Sequence, residues 1–294
     1  MLSPIMFLYI GIKYRVTHAF VFNVTYALVM KPMCRFRGIT MAVFLRGDTI
    51  ESHRMKAKMS WLIWLERMLE GIAIHGEALY GVSEALVQKI VARHNWAVPL
   101  WMGVLPNDIT FTKVHPVPSF DTPLRLACVG TLDRVKNHEL ILHALKLISS
   151  ETWLFSIYGV GVEEDRLARV AAEGCISRKV TFAGWEDEHK MWPEIDLLLM
   201  PSLDEGAPNA VLEAIAHGIP VLASDIPAHR EFFSGIYLLP TNDAEAWAKA
   251  ISFMISQSSS AFLALRDAQR LCVQRYVFDW DVEICNRIIK KFPQ

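Results

Sequence analysis

The amino-acid sequence predicts an α/β protein whose strands form parallel, doubly wound sheets. From residue 124 onward, short apolar runs alternate with segments of helical periodicity, as the βα units of a parallel sheet do. These runs are too short for helices, and the run 197–200 is apolar at every position, which is typical of a strand buried on both faces. With 294 residues, of which 52% are hydrophobic, the chain is long enough for two such domains.

The first 113 residues also predict strands and helices in alternation. Residues 1–12 have neither an early basic segment nor a clear cleavage site, so we expect no signal peptide. The apolar stretch 16–30 is interrupted by polar residues and is shorter than the roughly 20 residues of a membrane span, so it predicts a buried helix over 17–30. The elements predicted after it are a strand over 41–45, a helix over 54–76, a short strand over 79–83 and a helix over 84–94 capped by Ser83.

A run with three prolines predicts a linker over 114–123. We therefore expect a first domain over 1–113 and a second over 124–272. The second domain is predicted to contain strands over 124–129, 153–158, 180–183, 197–200 and 219–223, helices over 138–149, 163–173, 187–193, 208–217 and 244–255, and a helical tail over 261–291.

Charge and cysteine usage exclude several classes of function. A net charge of -1 argues against a nucleic-acid-binding protein. The basic excess of residues 1–70 suits either contact with anionic lipid or a charged acceptor, or else an ordinary solvated surface. The five cysteines are scattered as in a reduced cytoplasmic protein, and neither they nor the histidines have metal-ligand spacing.

The stretch 196–231 organises the second domain. Its helix is predicted to begin at Pro208, where no intrahelical partner for an N–H is needed. The N-terminus of that helix would lie at the carboxyl edge of the sheet, where N–H groups and the helix dipole favour phosphate. Glu205 precedes the helix and Glu213 lies about one turn inside it. Carboxylates beside a phosphate site are suited to hydroxyl groups, so the combination indicates a nucleotide sugar.

A second candidate anchor follows the strand over 124–129. Gly130 at the strand tip allows the backbone to approach a ligand closely, and Lys136 lies six residues further on, within reach of the sheet edge. By itself, this pattern fits either a phosphate-binding lysine or an ordinary solvated one.

The motif around Glu205 and Glu213 resembles the donor-binding signature of the family 4 retaining glycosyltransferases, which have the two-domain GT-B fold. It reads Pro-Ser-x-x-Glu-Gly-x-Pro-Asn and continues as Glu-Ala-x-Ala-x-Gly-x-Pro-Val. The resemblance covers nearly all of the second domain and about half of the first, so it implies two Rossmann-like domains, the N-terminal one incomplete in a truncated chain. It also implies that the helix over 273–294 returns to the first domain.

The resemblance implies a role for individual residues. Lys136 and the N–H groups near Ala207 would stabilise the leaving diphosphate, Glu205 would bind the sugar ring and Glu213 the ribose. Because an arginine is common at the position of Thr131, either Thr131 contributes a hydroxyl and an N–H or Arg134 replaces the charge. The implied catalytic residues are Lys136 and Glu205, and the implied donor-binding residues are Gly130, Thr131, Arg134, Lys136, Gly184, Glu205, Gly206, Ala207, Pro208, Asn209 and Glu213.

The acceptor-side candidates are His18, Arg46 and Asp48, with a buried or capping role as the alternative for His18 and a helix cap as the alternative for Asp48. The implied activity is transfer of a hexose from a UDP- or GDP-sugar to a glycan or lipid-linked acceptor in surface polysaccharide synthesis. We expect no metal or other cofactor, and a location in the cytoplasm or at the inner face of the membrane. The alternatives are a non-catalytic nucleotide-sugar-binding protein, half of a split enzyme, or a GT-B relative that epimerises nucleotide sugars.

Overall fold

The computed structural model describes residues 13–55, 59–111, 122–233, 238–256 and 259–286. The chain divides into two compact units, one formed by residues 1–108 and 278–294 and the other by residues 109–277. Most of the linker predicted over 114–123 lies outside the described residues. In the part of the chain that is described, no helix combines the length and the apolar character needed to cross a membrane.

Unit 1 contains a four-stranded parallel sheet in the order β1-β2-β3-β4. Neighbouring strands are therefore consecutive in the chain, and each connection is a helical crossover. The elements are β1 His18–Phe22, α1 Val24–Arg37, β2 Thr40–Leu45, α2 Thr49–Met55, α3 Ser60–Ile74, β3 Ala78–Gly81, α4 Glu84–Arg93 and β4 Trp101–Val104.

The helix predicted over 17–30 is wrong, because its first part is strand β1. Asn23 separates the strand from α1 with a positive φ of 70°, and its side-chain oxygen accepts a hydrogen bond from the backbone N–H of Tyr26 at 3.2 Å. Asparagine caps helices well. The residues on both sides of Asn23 are apolar, so apolar character alone did not show the boundary.

The helix predicted over 54–76 is also corrected. The structure has α2, which ends at Met55, and a separate α3, which begins at Ser60. Asp48 lies directly before α2, and its Oδ1 accepts a hydrogen bond from the backbone N–H of Glu51 at 3.0 Å. This contact agrees with the capping alternative for Asp48.

Unit 2 contains a six-stranded parallel sheet in the order β10-β9-β8-β5-β6-β7. The strands predicted over 124–129, 153–158 and 197–200 are confirmed. The elements are β5 Leu124–Val129, α5 His138–Leu147, β6 Trp153–Tyr158, α6 Glu164–Glu173, β7 Val180–Gly184, α7 Glu188–Met191, β8 Leu197–Met200, α8 Asn209–Ala216, β9 Val221–Ser224, α9 Pro227–Arg230, β10 Leu238–Leu239, α10 Ala244–Ile255 and α11 Ser259–Val273.

Both faces of this sheet are covered by apolar side chains. Trp153 and Trp247 are buried in the cluster on one face, and Trp192 and Val211 in the cluster on the other. Gln269 fixes α11 to β9, because its amide group donates to the Val221 carbonyl at 2.8 Å and accepts from the Val221 N–H at 2.9 Å. Burial on both faces explains why β8 is apolar at every position.

The continuous helix predicted over 261–291 is wrong within the described residues. After α11 the chain forms a short 3₁₀ turn over Gln274–Tyr276 and then α12, Trp280–Ile284. Helix α12 belongs to unit 1, where the Trp280 ring stacks on Phe22 at 6.4 Å and meets Phe20 and Phe44 edge to face at 6.1 Å. Aromatic contacts of this kind stabilise the attachment of the C-terminal segment to unit 1.

The strand order of unit 2 reverses between β5 and β8. The chain runs from β5 outward through β6 to β7, then crosses to β8 and continues through β9 to β10 on the other side. The loop that follows β5 therefore runs toward β6, and the loop that follows β8 runs the opposite way, toward β9. Between these two loops a crevice opens at the carboxyl ends of β5 and β8. Open parallel sheets bind ligands at such a switch point.

Candidate functional site

Lys136 and Glu205 meet at the switch point of unit 2. Lys136 lies in the loop after β5 and Glu205 in the loop after β8, and Lys136 Nζ is 2.6 Å from Glu205 Oε1. The hydroxyl of Ser202 donates to the same carboxylate oxygen at 2.7 Å. The two residues singled out from the sequence as catalytic candidates are thus brought into direct contact, although 69 positions separate them.

Local interactions in the loop after β5 fix the position of Lys136. Asp133 Oδ1 accepts from the backbone N–H groups of Val135 at 3.0 Å and Lys136 at 3.2 Å, which closes a tight turn. Gly130 has a φ of 150°, and a Cβ there would lie 3.1 Å from Lys136 Cε. The absence of a side chain at Gly130 therefore leaves room for the lysine to fold back over the strand tip.

The two loops are also joined to each other. The Leu203 N–H donates to the Val135 carbonyl at 2.8 Å. Asn137, in the left-handed conformation, donates its side-chain amide to the Pro201 carbonyl at 3.2 Å and to the Thr241 carbonyl at 3.0 Å. These bonds hold the loop that carries Lys136 against the loop that carries Glu205.

A chain of buried polar groups is connected to Glu205 through Ser202. The hydroxyl of Ser224 donates to the Ser202 carbonyl, and His229 Nδ1 donates to the Ser224 carbonyl at 2.8 Å. His229 is fully buried, which lowers its pKa, and in the part of the chain that the structure describes its Nε2 has no hydrogen-bond partner. Ser202 is the serine of the Pro-Ser-x-x-Glu motif, but the sequence assigned no role to it and did not single out Ser224 or His229, because the hydrogen bonds that connect them depend on the tertiary fold.

Glu213 lies in α8, one turn after the helix start. Partial burial raises the pKa of its carboxyl, and the nearby charge of Glu188 raises it further. Its surroundings differ from those of Glu205, which is paired with a cation. A partly desolvated carboxylate of this kind is suited to accept hydrogen bonds from hydroxyl groups.

The remaining donor-side candidates lie at the ends of neighbouring elements. Residues 206–208 lead into α8, which begins at Asn209, one residue later than predicted, and the Pro208 carbonyl accepts from Val211 and Leu212 at 3.0 and 3.3 Å. Gly184 ends β7 at the edge of the sheet, with a φ of 69°. Its carbonyl accepts from the Gly159 N–H at 2.7 Å.

Thr131 and Arg134 contact acidic residues other than Glu205. The hydroxyl of Thr131 donates to Asp133 Oδ2 at 3.3 Å. The side chain of Arg134 is 65% exposed and lies 3.6 Å from the carboxylate of Glu163. One alternative is that Arg134 replaces the arginine that is common at the position of Thr131. In the described part of the chain, Arg134 makes no contact with Glu205 that would support this alternative.

The acceptor-side candidates in unit 1 do not form one cluster. His18 begins β1 opposite Thr40, the first residue of β2, so it lies at the amino edge of the sheet. Arg46 follows β2 at the carboxyl edge and is exposed. An acceptor role for His18 stays a prediction without geometric support.

Asp48 is buried and its carboxylate is fully engaged. It pairs with Arg93 and, at 3.0 Å, with Lys89, while Arg93 also pairs with Glu70 at 3.1 Å. Hydrogen bonds from Arg93 hold the pKa of Asp48 below its usual range despite burial. This network stabilises unit 1 and leaves Asp48 with 1% of its side chain exposed.

Within the described ranges, no group of three or more His, Cys, Asp or Glu side chains is arranged to hold a metal ion. The positive charge at the switch point comes from Lys136.

Most of unit 2 matches the sequence model of a known protein family. Residues 123–257, just under half of the chain, match the family model described as glycosyl transferases group 1. The match includes β5 through α10 and therefore the whole Lys136–Glu205 site.

Solved structures extend the comparison to both units. Sucrose-phosphate synthase from Thermosynechococcus elongatus superposes with a TM-score of 0.79 over 98% of this chain and 76% of that one, at 18% identity. The chain has the GT-B fold. Anabaena HepE, solved in complex with UDP, superposes with a TM-score of 0.76 over 98% of this chain and 81% of that one, at 16% identity.

Curated relatives of this GT-B chain are glycosyltransferases of polysaccharide synthesis. The amylovoran biosynthesis glycosyltransferase AmsK of Erwinia amylovora is 30% identical over 221 residues, which are 67% of this chain and 52% of that protein. The lipopolysaccharide core biosynthesis glycosyltransferase LpsE of Rhizobium meliloti is 29% identical over 144 residues, 47% of this chain and 41% of that protein. The chain spans about half the length of the curated relatives it matches.

Proposed function

We propose that this chain transfers a hexose, with retention of anomeric configuration, from a UDP- or GDP-sugar to a glycan or lipid-linked acceptor during surface polysaccharide synthesis. The observation that carries the proposal is the Lys136–Glu205 pair at the switch point of a parallel sheet. The family match and the functions named for the relatives support the same chemistry.

In the proposed reaction, Lys136 exchanges its contact with Glu205 for the diphosphate of the donor. A fixed ammonium group at this point stabilises the negative charge that grows on the leaving diphosphate. The N-terminus of α8, which begins at Asn209, contributes a favourable dipole on the other side. We propose that these groups suffice without a metal ion.

The two glutamates then bind different parts of the donor. Glu205, no longer paired with Lys136, accepts hydrogen bonds from sugar hydroxyls and stays oriented by Ser202. Glu213 accepts from the ribose hydroxyls, which suits its partly desolvated carboxylate. Because HepE is solved with UDP, a uracil nucleotide is the first donor class to test.

We place the reaction in the cytoplasm or at the inner face of the membrane. This location gives the chain access to nucleotide sugars and to lipid-linked acceptors, which are the partners that the proposed reaction requires.

The experiment is donor-dependent release of UDP or GDP in the presence of a lipid-linked acceptor. The wild-type chain is expected to release nucleoside diphosphate, and Glu205→Gln is expected to release it at least about tenfold more slowly because it lacks the carboxylate. Equal rates for the two proteins contradict the proposed role of Glu205.

A second candidate is a nucleotide-sugar-binding protein without transferase activity. The observation that favours it is that the stretches matched to the relatives span only 52% and 41% of those proteins. Thermal stabilisation by UDP or GDP with no turnover of any donor supports this candidate. Absence of both binding and turnover contradicts both functions.

A further inference from the structure

A chain of hydrogen bonds connects helix α9 to the carboxylate of Glu205. It starts at His229 in α9, passes through Ser224 at the end of β9 and reaches Ser202 in the loop after β8. The Ser202 hydroxyl then donates to Glu205 Oε1 at 2.7 Å. The histidine and both serines are 0% exposed, so water is excluded from the bonds between them and does not replace a bond that is lost.

The imidazole of His229 contacts both polar groups of Ser224. Its Nδ1 lies 2.8 Å from the Ser224 carbonyl oxygen and 3.3 Å from the hydroxyl oxygen. Because a carbonyl oxygen only accepts, Nδ1 carries the proton of the neutral ring. The same N–H faces the lone pairs of the hydroxyl, which directs the hydroxyl proton to the Ser202 carbonyl.

His229 is kept neutral by its surroundings. Burial lowers the pKa of the imidazole; the hydrogen bond to Ser224 and the charge of Glu205 oppose this shift, and the charge of Lys136 adds to it. A second proton would be placed on Nε2, which has no hydrogen-bond partner within the described ranges. Since the ring is fully buried, it acts on the site only through the residues around it.

Ser202 transmits the position of this chain to Glu205 because it uses both its backbone and its side chain. Its carbonyl accepts from Ser224, and its hydroxyl donates to the carboxylate oxygen that Lys136 also contacts. In the proposed reaction Lys136 moves to the donor diphosphate, and the Ser202 hydroxyl continues to orient the carboxylate. A displacement of Ser202 therefore displaces Glu205 at the step in which it binds the sugar.

We propose that His229 is a positioning residue, which acts through Ser224 and Ser202 to hold Glu205 in the orientation that the sugar requires. This inference rests on the sugar-binding role proposed for Glu205, and it assigns His229 no contact with the donor. The Ser224 carbonyl also accepts from the Ile226 N–H at 2.9 Å. Loss of the imidazole N–H therefore leaves this carbonyl paired, and unit 2 is expected to stay folded.

Two variants of the full chain separate the N–H of His229 from the volume of its side chain. His229→Leu fills the buried space without a donor, whereas the amide N–H of His229→Asn takes the place of Nδ1. The assay follows release of nucleoside diphosphate from UDP-glucose, UDP-galactose and GDP-mannose. His229→Leu is expected to lower kcat by about tenfold and His229→Asn to restore most of it. The affinity for UDP, which lacks the sugar, is expected to change by less than about twofold.

A comparison in two backgrounds tests whether His229 acts through Glu205. In Glu205→Ala the carboxylate is absent, so adding His229→Leu is expected to lower kcat little further. A histidine that only supports the fold would lower kcat by the same factor in both backgrounds.

Amide hydrogen exchange at Leu203 tests the positioning without turnover. The Leu203 N–H lies in the loop after β8 and donates to the Val135 carbonyl at 2.8 Å. Its exchange is expected to be about tenfold faster in His229→Leu than in the wild type, and close to the wild type in His229→Asn. The Gly130 N–H, which is bonded to β6 at 2.9 Å, is expected to exchange equally in all three proteins.

Arg230→Gln is the matched control. Arg230 is the next residue of α9, but its exposed side chain donates to Asp225 at 2.6 Å. This variant is expected to keep the wild-type kcat and the wild-type exchange rate at Leu203.

Three results overturn the proposal. The first is unchanged exchange at Leu203 in His229→Leu. The second is a loss in His229→Asn as large as that in His229→Leu, and the third is an equal fall in kcat with and without Glu205. A wild type that turns over none of the three sugar nucleotides counts against the proposed function, and the exchange rates then decide alone whether His229 positions the loop.

Discussion

Replacing Lys136 by methionine removes the only positive charge that the structure brings to Glu205 among the described residues. In the free protein, Lys136 Nζ lies 2.6 Å from Glu205 Oε1, and the two side chains are 20% and 9% exposed. Because the pair is partly buried and Ser202 still donates to Glu205, we expect the loss of the lysine to lower the free energy of unfolding by about 1–2 kcal/mol. Unit 2 should therefore stay folded in the variant.

The effect on binding is larger. A hydrogen bond between an ammonium group and a phosphate is worth about 1.5–3 kcal/mol, which corresponds to roughly a tenfold to hundredfold change in the dissociation constant. Titration calorimetry with UDP and with GDP is expected to show this weakening in Lys136→Met. The same variant should show a urea-unfolding midpoint close to that of the wild type.

Lys190→Met is the matched control, since this lysine is also in unit 2 but is 77% exposed and lies 3.8 Å from its partner Glu186. It is expected to bind nucleoside diphosphate with wild-type affinity. If Lys136→Met is folded and binds as tightly as the wild type, Lys136 does not hold the diphosphate and the reasoning fails.

Three further changes test the fold around the site. Burial, and after it the charge of Lys136, lowers the pKa of His138 to about 4 in the folded protein, against about 6.5 in the unfolded chain. Between these two values the unfolded state binds a proton that the folded state does not. The free energy of unfolding therefore falls as the pH drops from about 6.5 to about 4. Between pH 7 and pH 5, the free energy of unfolding of His138→Gln should fall by about 2 kcal/mol less than that of the wild type, because His229, whose pKa is also lowered by burial, contributes to the fall in both proteins. An equal fall in the two proteins contradicts the assignment. Gly159→Ala should lower the free energy of unfolding by at least about 2 kcal/mol, because φ is 137° and the new Cβ would lie 1.9 Å from the Gly130 carbonyl oxygen. Gly184→Ala, with φ of 69° and open space, should cost less in the same assay, and equal costs would exclude the steric explanation. Asn23→Ala should lower the free energy of unfolding by about 1 kcal/mol through loss of the α1 cap, and no change in the urea midpoint would show that the cap is dispensable.

The parallel sheet of unit 2 was predictable because its strands are buried on both faces. A strand such as Leu197–Met200, which is fully buried, has to be apolar at each position, and its length excludes a helix. The order in the sheet was not predictable from periodicity, because the placement of β8 beside β5 depends on contacts between distant segments.

The first unit was harder to predict because its apolar runs cross element boundaries. Asn23 lies inside such a run and yet ends a strand and starts a helix. β4 and β10 have four and two residues, too few to give a periodic signal. Within the site, Lys136 and Glu205 were recognisable from motifs. The contact of the motif serine, Ser202, with Ser224, and that of Ser224 with His229, were not, because these residues are brought together only by the fold.

The site is tested most directly by mapping where a nucleoside diphosphate binds. In a ¹⁵N-labelled protein titrated with UDP or GDP, the largest changes in amide chemical shift are expected in the loops 130–137 and 202–209 and in the first turn of α8, and the changes should saturate together. Changes confined to unit 1, or absent from both loops at saturating nucleotide, would contradict the assignment of the donor site to Lys136 and Glu205.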